Sequence, residues 1–312
     1  MSLGSRVVAD GDAGAEVTVG YRVEPYVRYF GLGPASRREN EAFYREKTAW
    51  LGISASKGLG SVTNVVVDLV FSGVETEDPG AHESPSLVSR FYASLPSGYD
   101  SRSVGTEVGF SLAIGPEQDV GRSAPPDLVL ARAAVLKSFI GNEASFLSSR
   151  VELQGSLRLG GDSVGFLAVR GLVQYLEPLG SDPLAFQRLL SNSGPDLLRG
   201  YADLRWRDRG IALANVEFHW GIWASSDVLG PALDAYLLTD VGQVFGDPTA
   251  VALRNVTLSH GVGLRLASTR GFAGVVEFAR SREGSVVRIR VNRMFQGSRR
   301  ETFRGTTSAP GT

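Results

Sequence analysis

The stretch LLRGYADLRWRDRG, residues 197 to 210, carries four arginines, two aspartates, a tyrosine and a tryptophan, with Arg199, Gly200 and Tyr201 near its start. A guanidinium presents a rigid fork of donors that a carboxylate can meet with both oxygens. The first question is therefore which carboxylates stand ready for Arg199. Glu217 in NVEF and Asp240 in DVGQVF, with Gly242 beside the latter, are among the chain's acidic residues that could meet it. The chemistry this implies is charge pairing rather than bond making. A serine-hydrolase arrangement needs Ser, His and a carboxylate within reach, and only Glu217 with His219 falls on a shared face, without a Gly-x-Ser-x-Gly elbow. The histidines His82, His219 and His260 share no short spacing, and the cysteine count is zero. Thiolate sites, disulfides and Cys nucleophiles are thereby excluded, and no metal ligand set is expected. GLGPAS and GLGSVT are rich in glycine, but neither runs into a helix, so no phosphate cradle and no cofactor are expected.

The segments that must position these residues alternate with period two, which places successive side chains on opposite faces of a strand. In SVGTEVGFSLAIG, Val104, Thr106, Val108, Phe110, Leu112 and Ile114 share one face and Ser103, Gly105, Glu107, Gly109 and Ser111 the other. IALANVEFHWGIW sets Ala212, Ala214, Val216, Phe218, Trp220 and Ile222 against Asn215, Glu217, His219 and Gly221. VTLSHGVGLRLA and FLSSRVELQGSLRL repeat the pattern, with His260 the exception on an apolar face. Further segments are expected at 15–30, 43–55, 61–72, 87–95, 127–137, 163–175, 232–245, 271–280 and 285–295, thirteen in all. Most exceed the usual strand of about five or six residues. They fit a membrane barrel, whose strands need about 9–11 residues with an apolar face for lipid and a polar face for the lumen. Tyr26, Tyr29, Phe30, Trp220, Trp223, Phe245 and Phe295, near strand ends, would form interfacial girdles.

Composition agrees with a large β structure. The chain has 312 residues, 43% hydrophobic, 38 glycines and a formal net charge of -1, too balanced to attract nucleic acid or an acidic surface. No run of about 18 apolar residues is present, so no transmembrane helix is expected. The N-terminal residues lack the pattern of a signal peptide. Only three of the 32 basic residues are lysine, the bias that inward Arg–carboxylate pairs would require.

The region from about 160 to 295 resembles the C-terminal barrel of the Omp85 superfamily, the bacterial surface antigen or BamA/TamA group of outer-membrane assembly and translocation proteins. The resemblance lies in Arg199-Gly200-Tyr201 as the tip of a long loop, NVEF at 215–218, DVGQVF at 240–245 and HGVGLRL at 260–266, with YFGLGPASRRENEAFY at 29–44 upstream. It implies that the loop folds back into the lumen, that Glu217 or Asp240 pairs with Arg199, and that GSVVRIRVNRMF, ending in Phe295, resembles a terminal insertion signal. The family's POTRA domains have no counterpart here.

The expected fold is thus all-β, an antiparallel transmembrane β-barrel of 12 to 16 strands with a long inward-folded loop. Residues 1–14 are expected as a disordered N-terminal segment, 15–295 as the barrel with 176–210 as the lumen loop, and 296–312 as a polar tail. By resemblance, the chain would insert or translocate proteins at the bacterial outer membrane without catalysis. Its partners would be outer-membrane lipid, unfolded or secreted client proteins, and an assembly complex or further copies of itself, with no nucleic acid. A passive pore, a translocator barrel for an upstream patatin-like passenger, and a soluble β-sandwich binding module are the alternatives.

Overall fold

The computed structural model describes residues 2–8, 13–80, 85–99, 101–115, 128–140, 144–159, 165–225, 231–268 and 272–293. Eight strands precede the insert: β1 (Ser2–Val8), β2 (Ala13–Tyr29), β3 (Ala42–Leu59), β4 (Thr63–Glu77), β5 (Ser103–Ile114), β6 (Leu128–Ile140), β7 (Phe146–Arg158) and β8 (Phe166–Pro178). Two two-residue strands, β9 (Leu190–Ser191) and β10 (Arg207–Asp208), pair within it. Five follow: β11 (Gly210–Ala224), β12 (Pro231–Phe245), β13 (Thr257–Ser268), β14 (Phe272–Ser281) and β15 (Gly284–Arg293). Apart from β9 and β10, all thirteen join one antiparallel sheet whose spatial order is the order of the chain, with β8 against β11.

Side chains divide across this sheet as the alternation requires. On β5, Ser103, Glu107 and Ser111 are buried while Val108 and Phe110 are about half exposed. On β13, Thr257 and Ser259 are buried and Leu258, Val262 and Leu264 exposed. A two-sheet sandwich would bury the apolar face, so the exposed aliphatic belt together with the single sheet rules that architecture out. An apolar exterior around a polar interior is the pattern of a barrel in lipid.

Curvature follows from what the insert touches. Its side chains bond to Tyr44 on β3, Ser72 on β4 and Ser103 on β5, and equally to Asp240 on β12, Glu277 on β14 and the β14–β15 turn. One loop of some thirty residues can reach both flanks only if the sheet rolls around it. Arg38, between β2 and β3, also donates to the carbonyl of Glu283 between β14 and β15. Among the described residues no backbone pairing joins β1 to β15.

The interior is filled at the insert end. Phe186, fully buried, lies edge-on to Tyr29 and Tyr44 at 5.3 and 5.1 Å and near Tyr99 at 6.4 Å. Leu172, Leu176, Leu198, Trp206, Ile211, Leu213 and Val244 continue the cluster.

Three expectations need correction. Residues 2–8, expected within a disordered segment, form β1, paired with residues 14–20 of β2. Segment 87–95, expected as a strand, is instead the short helix α1 (Leu87–Phe91), because the Ser86 hydroxyl caps the Ser89 amide and Leu87, Val88 and Phe91 turn one helical face to the core. The total of eight strands before the insert survives because β1 replaces it. Tyr29, Phe30 and Phe245 are buried rather than girdle residues, whereas Tyr26 and Trp223 are about half exposed. An even strand number, usual for bacterial single-chain barrels, is not reached among the described residues. His82, Phe295 and the tail 296–312 lie outside them.

If the exposed belt faces lipid, Val262→Arg should cost about 2–4 kcal/mol in a barrel folded into phospholipid vesicles. The midpoint of urea unfolding reads this directly, and an unchanged midpoint would withdraw the assignment of that face to lipid.

Candidate functional site in the barrel lumen

The site begins at the insert tip. Leu197 and Leu198 lead into Arg199, and the Asn215 amide on β11 holds the Leu197 carbonyl at 3.1 Å. Gly200 then lies against the wall: a Cβ there would stand 2.6 Å from the Ser259 Cβ on β13 and 2.9 Å from the Arg280 carbonyl on β14. Its φ is not in the left-handed region, so close approach to the wall, and not a left-handed turn, demands glycine here. Tyr201 packs edge-on to Trp206 at 4.7 Å and donates its hydroxyl to the Leu258 carbonyl at 3.1 Å.

Arg199 is 4% exposed and meets three carboxylates. Its Nε and Nη2 reach Asp240 at 3.1 and 2.6 Å, its Nη1 reaches Glu277 at 3.1 Å and also bonds Glu217, and its own amide donates to Asp240 at 3.0 Å. Asp240 is fully buried and takes further donors from Asn215 at 2.8 Å and Ser259 at 3.0 Å. Burial opposes the charge of Arg199, but the Asp240 hydrogen bonds and the fields of Glu217, Asp240 and Glu277 more than offset this and raise its pKa above the ordinary value. The guanidinium is therefore a permanent cation that the wall must neutralise.

Around this pair extends a wider network. Tyr236 on β12 donates to Glu277 at 2.7 Å, and Arg290 on β15 donates to the same carboxylate at 2.9 Å. Tyr236 can lie flat on the wall because Gly263, its register partner on β13, leaves the space: a Cβ at 263 would overlap the Tyr236 ring. His219 stacks between Phe166 and Tyr236, each centroid 4.5 Å away, and shares a 2.7 Å hydrogen bond with Glu217. Asp234 receives Arg265 at 2.7 Å.

Three more insert arginines reach other parts of the wall. Arg188 donates to Ser72 and Ser103 at 3.2 and 3.0 Å, and Arg207 to the Tyr44 hydroxyl at 2.9 Å. Arg205 lies over Trp206 and Phe30 and donates to Glu283 at 2.8 and 3.0 Å and to the Ser36 hydroxyl at 3.0 Å. Leu204, between these anchors, holds a φ of 60°, a strained value for leucine that the contacts on either side enforce.

The structure thus brings Arg199, Gly200, Tyr201, Glu217 and Asp240 together. Gly242 stands apart from the ion cluster, close against Ala212 and Leu213, with its carbonyl taking Thr257. Glu277, Tyr236, Arg290 and the three further arginines were not singled out from sequence. Glu277 carried the same signal as Glu217, a carboxylate flanked by apolar neighbours in an alternating strand. Among the described residues no group of three or more His, Cys, Asp or Glu could hold a metal, and no helix is long and apolar enough to cross a membrane.

Fold and site together define an antiparallel β-barrel whose lumen holds an inward-folded loop fixed by buried arginine. Among solved structures, BamA from Haemophilus ducreyi lacking POTRA domains 1–3 is similar, with a TM-score of 0.62 at 14% identity, over 93% of this chain and 61% of that one. The chain therefore spans less than two thirds of the length of that protein, and the likeness establishes a BamA-like barrel fold. No protein-family model and no curated protein matches the sequence.

Arg199→Ala would leave Asp240 buried without its counter-charge and Glu277 with Arg290 alone, a loss of about 3–5 kcal/mol by the usual cost of breaking such a pair. Gly200→Ala should lift the tip off the wall while keeping every charge. Limited proteolysis is expected to cut within 197–210 faster in both variants than in the wild type. Wild-type cleavage rates in both would show that the tip is not held as described.

Proposed function

We propose that this chain is an outer-membrane β-barrel of the Omp85 type that mediates insertion or translocation of proteins at the bacterial outer membrane. The observation that carries this reading is the inward-folded loop whose Arg-Gly-Tyr tip is fixed to the wall by Asp240, Glu217 and Glu277. The BamA-like fold supports it, and so does the exposed apolar belt, which suits outer-membrane lipid as the surrounding medium. The barrel works without catalysis. Edge strands β1 and β15 offer backbone groups that an incoming strand can pair with, the physical basis of strand addition. Clients are unfolded or secreted proteins, and assembly-complex subunits or further copies of the chain complete the partners.

A passive pore fits less well. The insert fills the lumen at one end with Phe186, Leu198 and Trp206, each 2% exposed or less.

Two measurements test the proposal. Reconstituted into vesicles, the chain should speed the folding of a small unfolded barrel client, read by heat-dependent gel mobility of the client, and Arg199→Ala should slow this several-fold. In planar bilayers the wild type should conduct ions poorly and a variant lacking residues 181–207 well. High wild-type conductance with no effect on client folding would favour the pore instead.

A further inference from the structure

His260 stands out on the outer surface. On β13 it faces outward between Leu258 and Val262, which are 51% and 50% exposed. Its register partner on β14 is Arg280, also exposed and outward, next above Phe278 at 44%. On the other side His260 pairs with Thr239 of β12, whose hydroxyl shares that face. Among the described side chains, these are the charged or titratable groups on the outer face of β11 to β15. Neither makes a hydrogen bond or ion pair with another described side chain.

Several cations elsewhere in the molecule have a carboxylate partner. Outward-facing Arg28 and Arg45 pair with Glu41 and Glu77 at 3.1 and 3.9 Å, and Lys47 bonds Glu77. Inward-facing Arg265, Arg288 and Arg290 pair with Asp234, Asp203 and Glu277. A guanidinium on this face has no counter-charge beside it, and His260, directly across the strand pair, offers a second donor to any anion that supplies one. Arg280 is the penultimate residue of β14, at the insert end, where a strand leaves the apolar zone for the headgroup region.

We propose that His260 and Arg280, with the Thr239 hydroxyl, form an outward site for the phosphate of an anionic membrane lipid. The inference rests on the membrane placement proposed above. A guanidinium forks onto phosphate oxygens, and the imidazole supplies another donor. Lipid is the occupant that satisfies both chemistries on this surface, because acyl chains descending from the headgroup cover Leu237, Val262 and Phe278, whereas a soluble anion would leave them bare. The site is also the outer side of the loop-tip contact. The Arg280 carbonyl lies against Gly200 inside while its side chain points to lipid outside, so an occupied site steadies the strand segment on which the tip rests.

The test uses the full chain folded in non-ionic detergent and titrated separately with dioleoyl phosphatidylglycerol and dioleoyl phosphatidylcholine, with bound lipid counted by native mass spectrometry. The wild type should prefer phosphatidylglycerol. The double variant His260→Ala with Arg280→Ala should lose about tenfold of that preference, and Lys57→Ala, an exposed cation at the far end of β3, should lose none. Gel mobility before and after boiling confirms folding independently. A chain that never shifts on the gel sinks the membrane reading itself, whereas a folded double variant with wild-type preference overturns the lipid site alone. Displacement of the lipid by inorganic phosphate at matching concentration would also overturn it, as would an equal loss in Lys57→Ala. If the double variant fails to fold, Arg280→Gln alone decides the matter, and an undiminished preference overturns the proposal.

Discussion

The buried charge of Arg199 is the constraint on which the lumen depends. A cation taken out of water is costly unless carboxylates and hydrogen bonds surround it. Three strands supply them: Glu217 from β11, Asp240 from β12 and Glu277 from β14. Each carboxylate lies on an inward face only while the strand registers hold, since a one-residue slip would turn it toward the outside. The ion cluster and the registers of β11 to β14 therefore stabilise one another. Asp240 is especially committed, because it also receives Asn215, Ser259 and the Arg199 amide.

Around this centre the insert is fastened by direction as much as by energy. Arg188 points to β4 and β5, Arg207 to β3, Arg205 to the loop after β2 and the turn before β15, and Arg199 to the opposite wall. Each is 4% exposed or less. Guanidinium suits such posts because its donors lie in one plane at fixed angles, and its face stacks on rings such as Trp206 and Tyr44. A lysine in the same place would hold charge but not orientation. The apolar cluster about Phe186 fills the space between these posts.

Much of this was legible in the sequence, because period-two alternation is a local property. Faces, strand positions after the insert and the inward course of Glu217 and Asp240 could all be read from neighbours two residues apart. Helix α1 could not, since LVSRF alternates as well as it turns and the Ser86 cap decides between the two. The need for glycine at 200 is hidden for a related reason: a tight turn and a close approach both select glycine, and only the positions of Ser259 and Arg280 tell them apart. Glu277 escaped because nothing within β14 reveals that the wall curls far enough to bring it beside Arg199. The radial use of Arg188, Arg205 and Arg207 likewise depends on closure of the whole sheet. Tyr29, Phe30 and Phe245 were placed at the membrane boundary because aromatic rings near strand ends look alike whether they meet lipid or line an interior.

The contacts of Arg38 and Arg205 bear on the mechanics of the barrel. At the insert end, Arg38 reaches the Glu283 carbonyl, and Arg205 joins Ser36 to the Glu283 carboxylate. Backbone pairing across the first and last strands is absent among the described residues, and β1 runs along β2 only as far as residue 20. Among the described residues the joint is thus riveted at one rim, without strand-to-strand pairing. A splaying force would open such a wall as a wedge, widest at the rim remote from the rivet, with the loop acting as the pin about which the two flanks part.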